Sequence, residues 1–448
     1  MRDVLIVFVI LSALVVALRF PFAGLLLWAW FTLVTPHQLA YGAFGIPLNS
    51  LIAGTTILSI LINGAISRFR LDLTIGIMLL FCAWLLLSQH FSLDPTHSAP
   101  YTDRFLKTMV FILLCTQMVT SRLRLHALLW VLVLGLGFFA VKGAIFTILT
   151  FGQYRVQGID ETLMGDNNHI GIMLATSLPL ILYLRGEASR PIVKQGLMVV
   201  FLCAVLSIIG THSRGAFLSI IVFAGYFWLK SNHKIAIASL VVLLSIPLVA
   251  MVPSKWTARM STITEATQDE SFMGRVDAWY INTAFARENP LTGAGLRVPY
   301  QTELAKTVDP ARAPRAKAAH SIYFEILGGM GIAGLFIFLS IIGTGFFSAL
   351  RLQKLGRKEG QVPPWVGRFG YFSQISLAVF CIGGASASLE MWDGYLLVIA
   401  LIASASHITS PLGANARQRG SVRKRFSWRL AARGIDTTAG RRLKSPIR

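Results

Sequence analysis

One long polar excursion, residues 253–319, interrupts a chain that otherwise reads as apolar runs joined by short loops. The runs at 4–18, 75–87, 128–148 and 236–252 carry few or no charged residues. Their lengths approach the roughly 20 residues that cross a bilayer as helix. Only 14% of the chain is charged and its mean hydropathy is +0.64, whereas a soluble domain would carry about a quarter charged residues. A water-soluble multi-domain protein is excluded. The expected fold is all-α, a polytopic integral membrane protein, and aqueous chemistry has to concentrate in the one large loop. That loop opens on Lys255, Trp256 and Arg259 and closes against His320.

The formal charge of +21 does not point to nucleic acid, because of where it sits. After Ser410 the tail has eleven Lys and Arg against the single acid Asp436. A basic tail after the last span is a topological signal, with attraction to anionic lipid. We place spans at 3–17, 20–34, 48–65, 71–87, 104–120, 125–150, 168–184, 195–209, 214–228, 235–252, 320–350, 370–386 and 395–408, twelve or thirteen crossings in all. The basic loops 68–70, 122–124, 185–194, 230–234 and 351–368 then share one side, which the charge rule makes cytoplasmic. The expected organisation is an N-terminal membrane region (1–150), core membrane helices (151–252), the large periplasmic loop (253–319), C-terminal membrane helices (320–408) and a disordered basic tail (409–448). The loop itself breaks the charge bias through Arg275, Arg287, Arg297, Arg312 and Arg315. Long loops translocate regardless of charge, so these arginines need another explanation. No cleavable leader is expected, and the four cysteines fall in apolar spans without metal or disulfide spacing.

Four clusters on the outer side carry the candidate chemistry. Gly152-Gln-Tyr-Arg-Val-Gln-Gly158 is followed by Gly165-Asp-Asn-Asn-His169; Thr211-His-Ser-Arg214 forms a very short loop. Gly274-Arg-Val-Asp-Ala-Trp279 and Pro290-Leu-Thr-Gly-Ala-Gly295 lie in the large loop, and Ala319-His-Ser-Ile-Tyr-Phe-Glu325 opens the next span. An arginine fork binds two phosphate oxygens and stays charged. Arg155, Arg214 and Arg275, from three loops, are therefore candidates for holding a diphosphate, against the plainer reading of interfacial anchors. His320 is placed to take a proton from an attacking hydroxyl or to stabilise charge on phosphate oxygen. Glu325 is an intramembrane acid, a functional candidate by default, although it could equally bond a neighbouring helix. Trp279 and Tyr323 complete the set of candidate substrate contacts. No metal-ligand, nucleotide-binding or GxSxG pattern is present, so no cofactor is expected and the energy must come from an activated substrate. There is no internal repeat of the kind that marks secondary transporters.

In these clusters the chain resembles the O-antigen ligase and polysaccharide polymerase superfamily of bacterial inner membranes, through Ser213-Arg-Gly-Ala216, the Gly274 and Pro290 motifs and Ala319-His-Ser-Ile-Tyr323 in the same order. The N-terminal Arg19-Phe-Pro-Phe-Ala-Gly-Leu-Leu-Leu-Trp-Ala-Trp30 and Thr35-Pro-His-Gln-Leu-Ala-Tyr41 are similar to the O-glycosylation ligases that accompany exosortase A systems. The resemblance implies a GT-C-like enzyme that moves a glycan from undecaprenyl diphosphate to an acceptor hydroxyl on protein, lipid core or polysaccharide, without metal or nucleotide. In that picture Arg214 and Arg275 hold the diphosphate, and His320 activates the acceptor or stabilises the departing diphosphate. Ser321 stands where relatives often have Asn, and Gly329 sits near a position that is commonly acidic, with Glu325 one turn before it. A polymerase of the same superfamily, and a transporter or flippase for lipid-linked sugars, are the alternatives.

Overall fold

Helix boundaries follow the capping chemistry of the sequence. Asp72 Oδ1 accepts the Ile75 N–H, Asp94 accepts that of His97, and Asp166 those of Asn168 and His169. Prolines 21, 95, 191 and 364 occupy first-turn positions where a missing N–H costs nothing. The computed structural model describes residues 2–39, 47–66, 68–159, 162–230, 234–235, 270–357 and 362–410. Its helices are α1 (Arg2–Arg19), α2 (Pro21–Val34), α3 (Leu48–Ile62), α4 (Leu73–His90), α5 (Pro95–Met118), α6 (Arg122–Leu149), α7 (Asn167–Glu187), α8 (Pro191–Gly210) and α9 (Arg214–Lys230). They continue with α10 (Glu270–Glu288), α11 (Thr302–Val308), α12 (Ile322–Gly356), α13 (Pro364–Gly384) and α14 (Asp393–Thr409).

Among the described residues there is no strand, and α4, α6, α7, α8, α12 and α13 are long and apolar enough to cross a membrane. The all-α polytopic expectation is borne out. Two spans show the effect of lipid as solvent, the more apolar being the less buried. The most apolar span, α8, has a mean hydropathy of 2.3 and is only 22% buried, whereas central α7 has 1.3 and is 83% buried. Exposed Phe8, Leu61, Phe336 and Phe347 face outward from other helices. α7 is sheathed by α6, α8, α9 and α13, while α12 packs on α4, α10, α13 and α14.

The two ends of the bundle differ. At one end Glu187 pairs with both Arg122 and Arg368 at 2.6 Å. The opposite end, about 30 Å away along α7, gathers the turns that follow α6, α8 and α13 and that precede α7 and α12. The expected span 235–252 and the first part of the large loop lie outside the described residues, as does most of the tail. Two expectations need correction. The loop expected at 88–103 is largely helix, because Asp94 and Pro95 start α5 early. The expected span 320–350 is a broken helix running to Gly356, with Gly331 at φ 72° and ψ −176°.

That break is filled by the Pro290–Gly295 motif. The Gly328 carbonyl accepts from Ala294 N–H at 2.9 Å, and the Gly329 carbonyl accepts from Gly295 N–H at 2.9 Å and from Ser88 Oγ at 3.0 Å. Trp84 Nε1 donates to the Met330 carbonyl at 3.2 Å, and Ile332 N–H returns a bond to Pro290 O at 2.8 Å. A helix can break at membrane depth only where protein satisfies the freed groups. Gly293, at φ 69°, allows the approach: a Cβ there would lie 2.5 Å from the Gly331 and Met330 nitrogens. Gly293→Val is expected to abolish recovery of monodisperse protein, whereas Gly186→Ala, which meets nothing within 4 Å, should purify normally. Comparable yields of the two in size-exclusion chromatography would refute this account of the motif.

Candidate functional site

The described part of the large loop is a small helical cap with its own core of Ile281, Phe285, Ala294, Val298, Ala305 and Ala313. Asp277 pairs with Arg315 at 2.9 Å and Arg312 at 3.3 Å, which accounts structurally for two of the outer arginines. The cap ends at Ala319, whose two backbone groups are both held by side chains. Its N–H donates to Glu325 Oε1 at 2.9 Å, and its carbonyl accepts from Trp279 Nε1 at 2.8 Å. Trp279 in turn stacks on Phe324 with ring centroids 5.1 Å apart. The next residue, His320, is thereby fixed in a left-handed conformation at φ 47°. Such a conformation costs a non-glycine residue about 1–3 kcal/mol and tends to mark functional positions.

The His320 imidazole is half-buried, and its Nδ1 is buried with no hydrogen-bond partner among the described residues. Burial first, then the Arg275 guanidinium, pushes its pKa down to about 4, so the ring is neutral at physiological pH. Its neighbour is His169, with ring centroids 6.4 Å apart. His169 is a defined tautomer: Nδ1–H donates to Leu163 O at 2.8 Å and Nε2 accepts the Ser388 N–H at 3.2 Å. Asp166, which caps α7, also faces His320 electrostatically; burial would raise its carboxyl, but the backbone N–H groups of His169 and Asn168 that it accepts from help hold it low.

Behind this face lies a buried ionic cluster. Glu325 Oε1 accepts from Tyr300 OH and Ser388 Oγ, each at 2.6 Å, in addition to Ala319, and lies 3.4 Å from Arg297. Arg297 bonds Glu390 at 2.5 Å. Burial alone would lower the Arg297 pKa, but Glu390 and Glu325 leave it raised. Burial lifts the Glu390 carboxyl to about 7 against the pull of Arg297.

The remaining candidates occupy the same end of the bundle. Arg275 projects from α10, close enough to shift His320. Arg214 begins α9 immediately after Thr211-His-Ser213, a turn clamped by Asn167 Nδ2 to Thr211 O at 2.7 Å and by the ring of His212 on Gly152 O at 2.9 Å. Gly215 packs directly against Ser386, on the turn that carries Ser388. Arg155 is exposed in the loop beside His212, whose pKa is lowered mainly by burial and further by Arg155. Tyr323 points away, donating to Cys381 O on α13 at 2.7 Å. Glu325 and Trp279 hold the backbone before His320, which makes them positioning residues in this arrangement. Gly329 leaves little room for a side chain: a Cβ there would lie 3.1 Å from Leu296 Cδ2 and 3.4 Å from the Gly295 carbonyl oxygen. Asp166 belongs to the first of the four outer clusters, whereas Glu390 and Ser388 lie outside all of them. Two carboxylates, Glu390 and Asp393, in the short stretch next to a span were the available signal. Among the described residues no group of side chains could hold a metal ion.

Comparison with known families bears on this site. Residues 199–339 match the family model described as O-Antigen ligase, a stretch that contains Arg214, Arg275, Arg297, His320 and Glu325. Residues 1–189 match a family of unknown function (DUF5935). Among curated proteins none matches the chain. The first match supports an O-antigen ligase-like membrane enzyme with lipid-linked glycan and acceptor partners.

Proposed function

We propose that the protein transfers a glycan from undecaprenyl diphosphate to an acceptor hydroxyl, at the periplasmic face of a bacterial inner membrane. The observation that carries this reading is a neutral, strained, partly orphaned histidine beside Arg275, at the end of the bundle that also presents Arg214 and Arg155. The acceptor oxygen attacks the anomeric carbon as the bond from that carbon to the diphosphate oxygen breaks. His320 takes the hydroxyl proton, and Arg275 and Arg214 stabilise the diphosphate leaving group, which departs with the electron pair. Positioning and electrostatics supply the acceleration. The charge of Arg275 depresses the basicity of His320 in the free protein. A bound diphosphate cancels that charge, so the imidazole becomes a better base when donor is present.

The arginines sit at one end rather than along a path through the bundle, which favours an enzyme over a transporter. The N-terminal likeness to the exosortase-associated O-glycosylation ligases favours transfer to an acceptor over polymerisation. The test is release of undecaprenyl diphosphate from the host's lipid-linked glycan by purified protein in lipid, with and without host acceptor fractions and with chelator. Release that needs acceptor and survives chelation is expected. Glycan moving between leaflets with no release would replace this reading by a transporter.

A further inference from the structure

The motif Gly165-Asp-Asn-Asn-His169 gives no group to the transfer chemistry at His320, and it lies outside residues 199–339, in the N-terminal stretch matched by a family of unknown function. Its side chains nevertheless reach both halves of the site. Asp166 Oδ1 caps α7 by accepting the N–H groups of Asn168 and His169 at 2.8 and 3.2 Å. That cap orders the first turn of the helix, from which the buried side chains of Asn167 and His169 project.

Asn167 faces the turn that carries Arg214. Its Nδ2 donates to the Thr211 carbonyl at 2.7 Å. Thr211 closes α8, and carbonyls at the end of a helix have no partner within it. The rest of the turn is held from inside, by Ser213 N–H on Thr211 Oγ1 at 3.3 Å and Ala216 N–H on Ser213 Oγ at 3.2 Å. His212 stands in the left-handed region at φ 54°, a conformation that persists only where its surroundings enforce it. One turn along α7, Gly171 leaves no room for a side chain. A Cβ there would lie 2.7 Å from Ala216 Cβ and 3.0 Å from Thr211 Oγ1. The start of α7 thus holds the start of α9 through one hydrogen bond and one close contact.

His169 serves the other half. Its Nε2 accepts the Ser388 N–H at 3.2 Å, and Ser388 Oγ donates to Glu325 Oε1 at 2.6 Å. The same carboxylate oxygen accepts the Ala319 N–H at 2.9 Å, immediately before His320. The other ring nitrogen of His169 is taken by Leu163 O, so the ring holds backbone and has no nitrogen left for a substrate proton. The geometry points to Asn167 and His169 as positioning residues, the first for Arg214 and the second for His320. Two residues of one helix turn then set the leaving-group side of the transfer site against its acceptor side. The naming of those sides rests on the function proposed above; the two sets of bonds do not.

Double-variant cycles on the full chain in lipid test this, because residues that act through one another are not additive. Asn167→Leu keeps the size of the side chain and removes the donor. Binding of farnesyl diphosphate, a soluble polyprenyl diphosphate, should weaken about tenfold by isothermal titration, the scale of one buried carbonyl left unpaired. The loss should vanish in the Arg214→Ala background and be absent from His169→Leu. Gly171→Ala displaces the same turn without removing a hydrogen bond and should weaken binding likewise, which keeps the test open where Asn167→Leu fails to fold. His169→Leu should lower kcat for glycan transfer about tenfold, leave KM for the donor unchanged, and have little further effect in His320→Ala. His169→Gln, whose amide oxygen can accept the Ser388 N–H, should restore most of the rate. The inference is overturned if farnesyl diphosphate binds the Asn167 and Gly171 variants as it binds wild type, if their losses persist in Arg214→Ala, or if His169→Gln is as slow as His169→Leu. Those results in a wild type that transfers glycan remove the positioning roles alone. A wild type that neither releases undecaprenyl diphosphate nor binds farnesyl diphosphate removes the transferase reading and these roles together.

Discussion

Alanine at position 320 is expected to lower kcat/KM for glycan transfer by about 10²–10⁴-fold, the usual contribution of a positioned acid or base, with little change in thermal stability. The small stability effect follows from the geometry. The ring has an orphaned Nδ1, so its removal breaks no bond at that atom, and alanine keeps the Cβ and with it the same left-handed backbone cost. The pH dependence separates this role from a merely structural one. A histidine of ordinary pKa would make kcat/KM fall as pH drops through about 6.5. Burial and Arg275 hold His320 near 4, so kcat/KM should stay level with respect to this group from pH 7 down to about 5 and fall only as pH approaches 4. Bound diphosphate offsets Arg275 and favours the imidazolium, so the corresponding inflection in kcat should lie at higher pH. In Arg275→Gln the kcat/KM inflection should rise, because a positive neighbour that disfavoured protonation is gone. An inflection near 6.5 in wild type, or one that does not respond to Arg275→Gln, would contradict the proposed electrostatics.

The second large effect is expected in the buried cluster behind that histidine. Arg297 is 10% exposed and lies between Glu325 at 3% and Glu390 at 1%. Arg297→Ala leaves two carboxylates buried without their cation, which should cost about 3–5 kcal/mol, the usual result of removing one partner from a buried pair. The sign of its pH dependence is fixed by what the carboxylates can do. Burial already raises Glu390 to about 7 with Arg297 pulling it down. Without that pull the carboxyl titrates higher still and binds a proton more readily in the folded state. The loss should therefore be greater at pH 8 than at pH 6. Arg297→Met combined with Glu390→Gln should recover much of the stability, because it removes charge from both sides. Activity should remain impaired if Glu325, deprived of Arg297, no longer holds Ala319 N–H and so the backbone before His320. Unfolding of the variants in lipid at the two pH values, beside their transfer rates, checks both parts. Equal losses at the two pH values would mean that the cluster is not ionised as described.

Much of this architecture was legible residue by residue, because membrane spans and helix starts are written locally. A run of apolar residues has no other stable solution in hydrocarbon, and Asp72, Asp94, Asp166 and Pro191 announce the helices they begin. The histidine at the end of the loop, and the arginines at positions 214 and 275, also stand out locally as charged or titratable groups beside spans. The Pro290–Gly295 motif was visible but its purpose was not. Only the folded chain shows its backbone inserted in a break in α12, with Gly293 spaced by atoms nearly forty residues further on.

Composition and hydropathy by themselves determined that the chain is a helical, multi-pass membrane protein with its polar residues concentrated at loops, since solvation by lipid depends on each segment's own side chains. Tertiary structure alone decided which polar groups face each other. Glu325, an isolated acid in the sequence, becomes the partner of Tyr300, Arg297, Ala319 and Ser388 only when four segments meet. Hydrogen bonds and ion pairs act over a few ångströms, and separation along the chain carries no information about that distance until the helices pack.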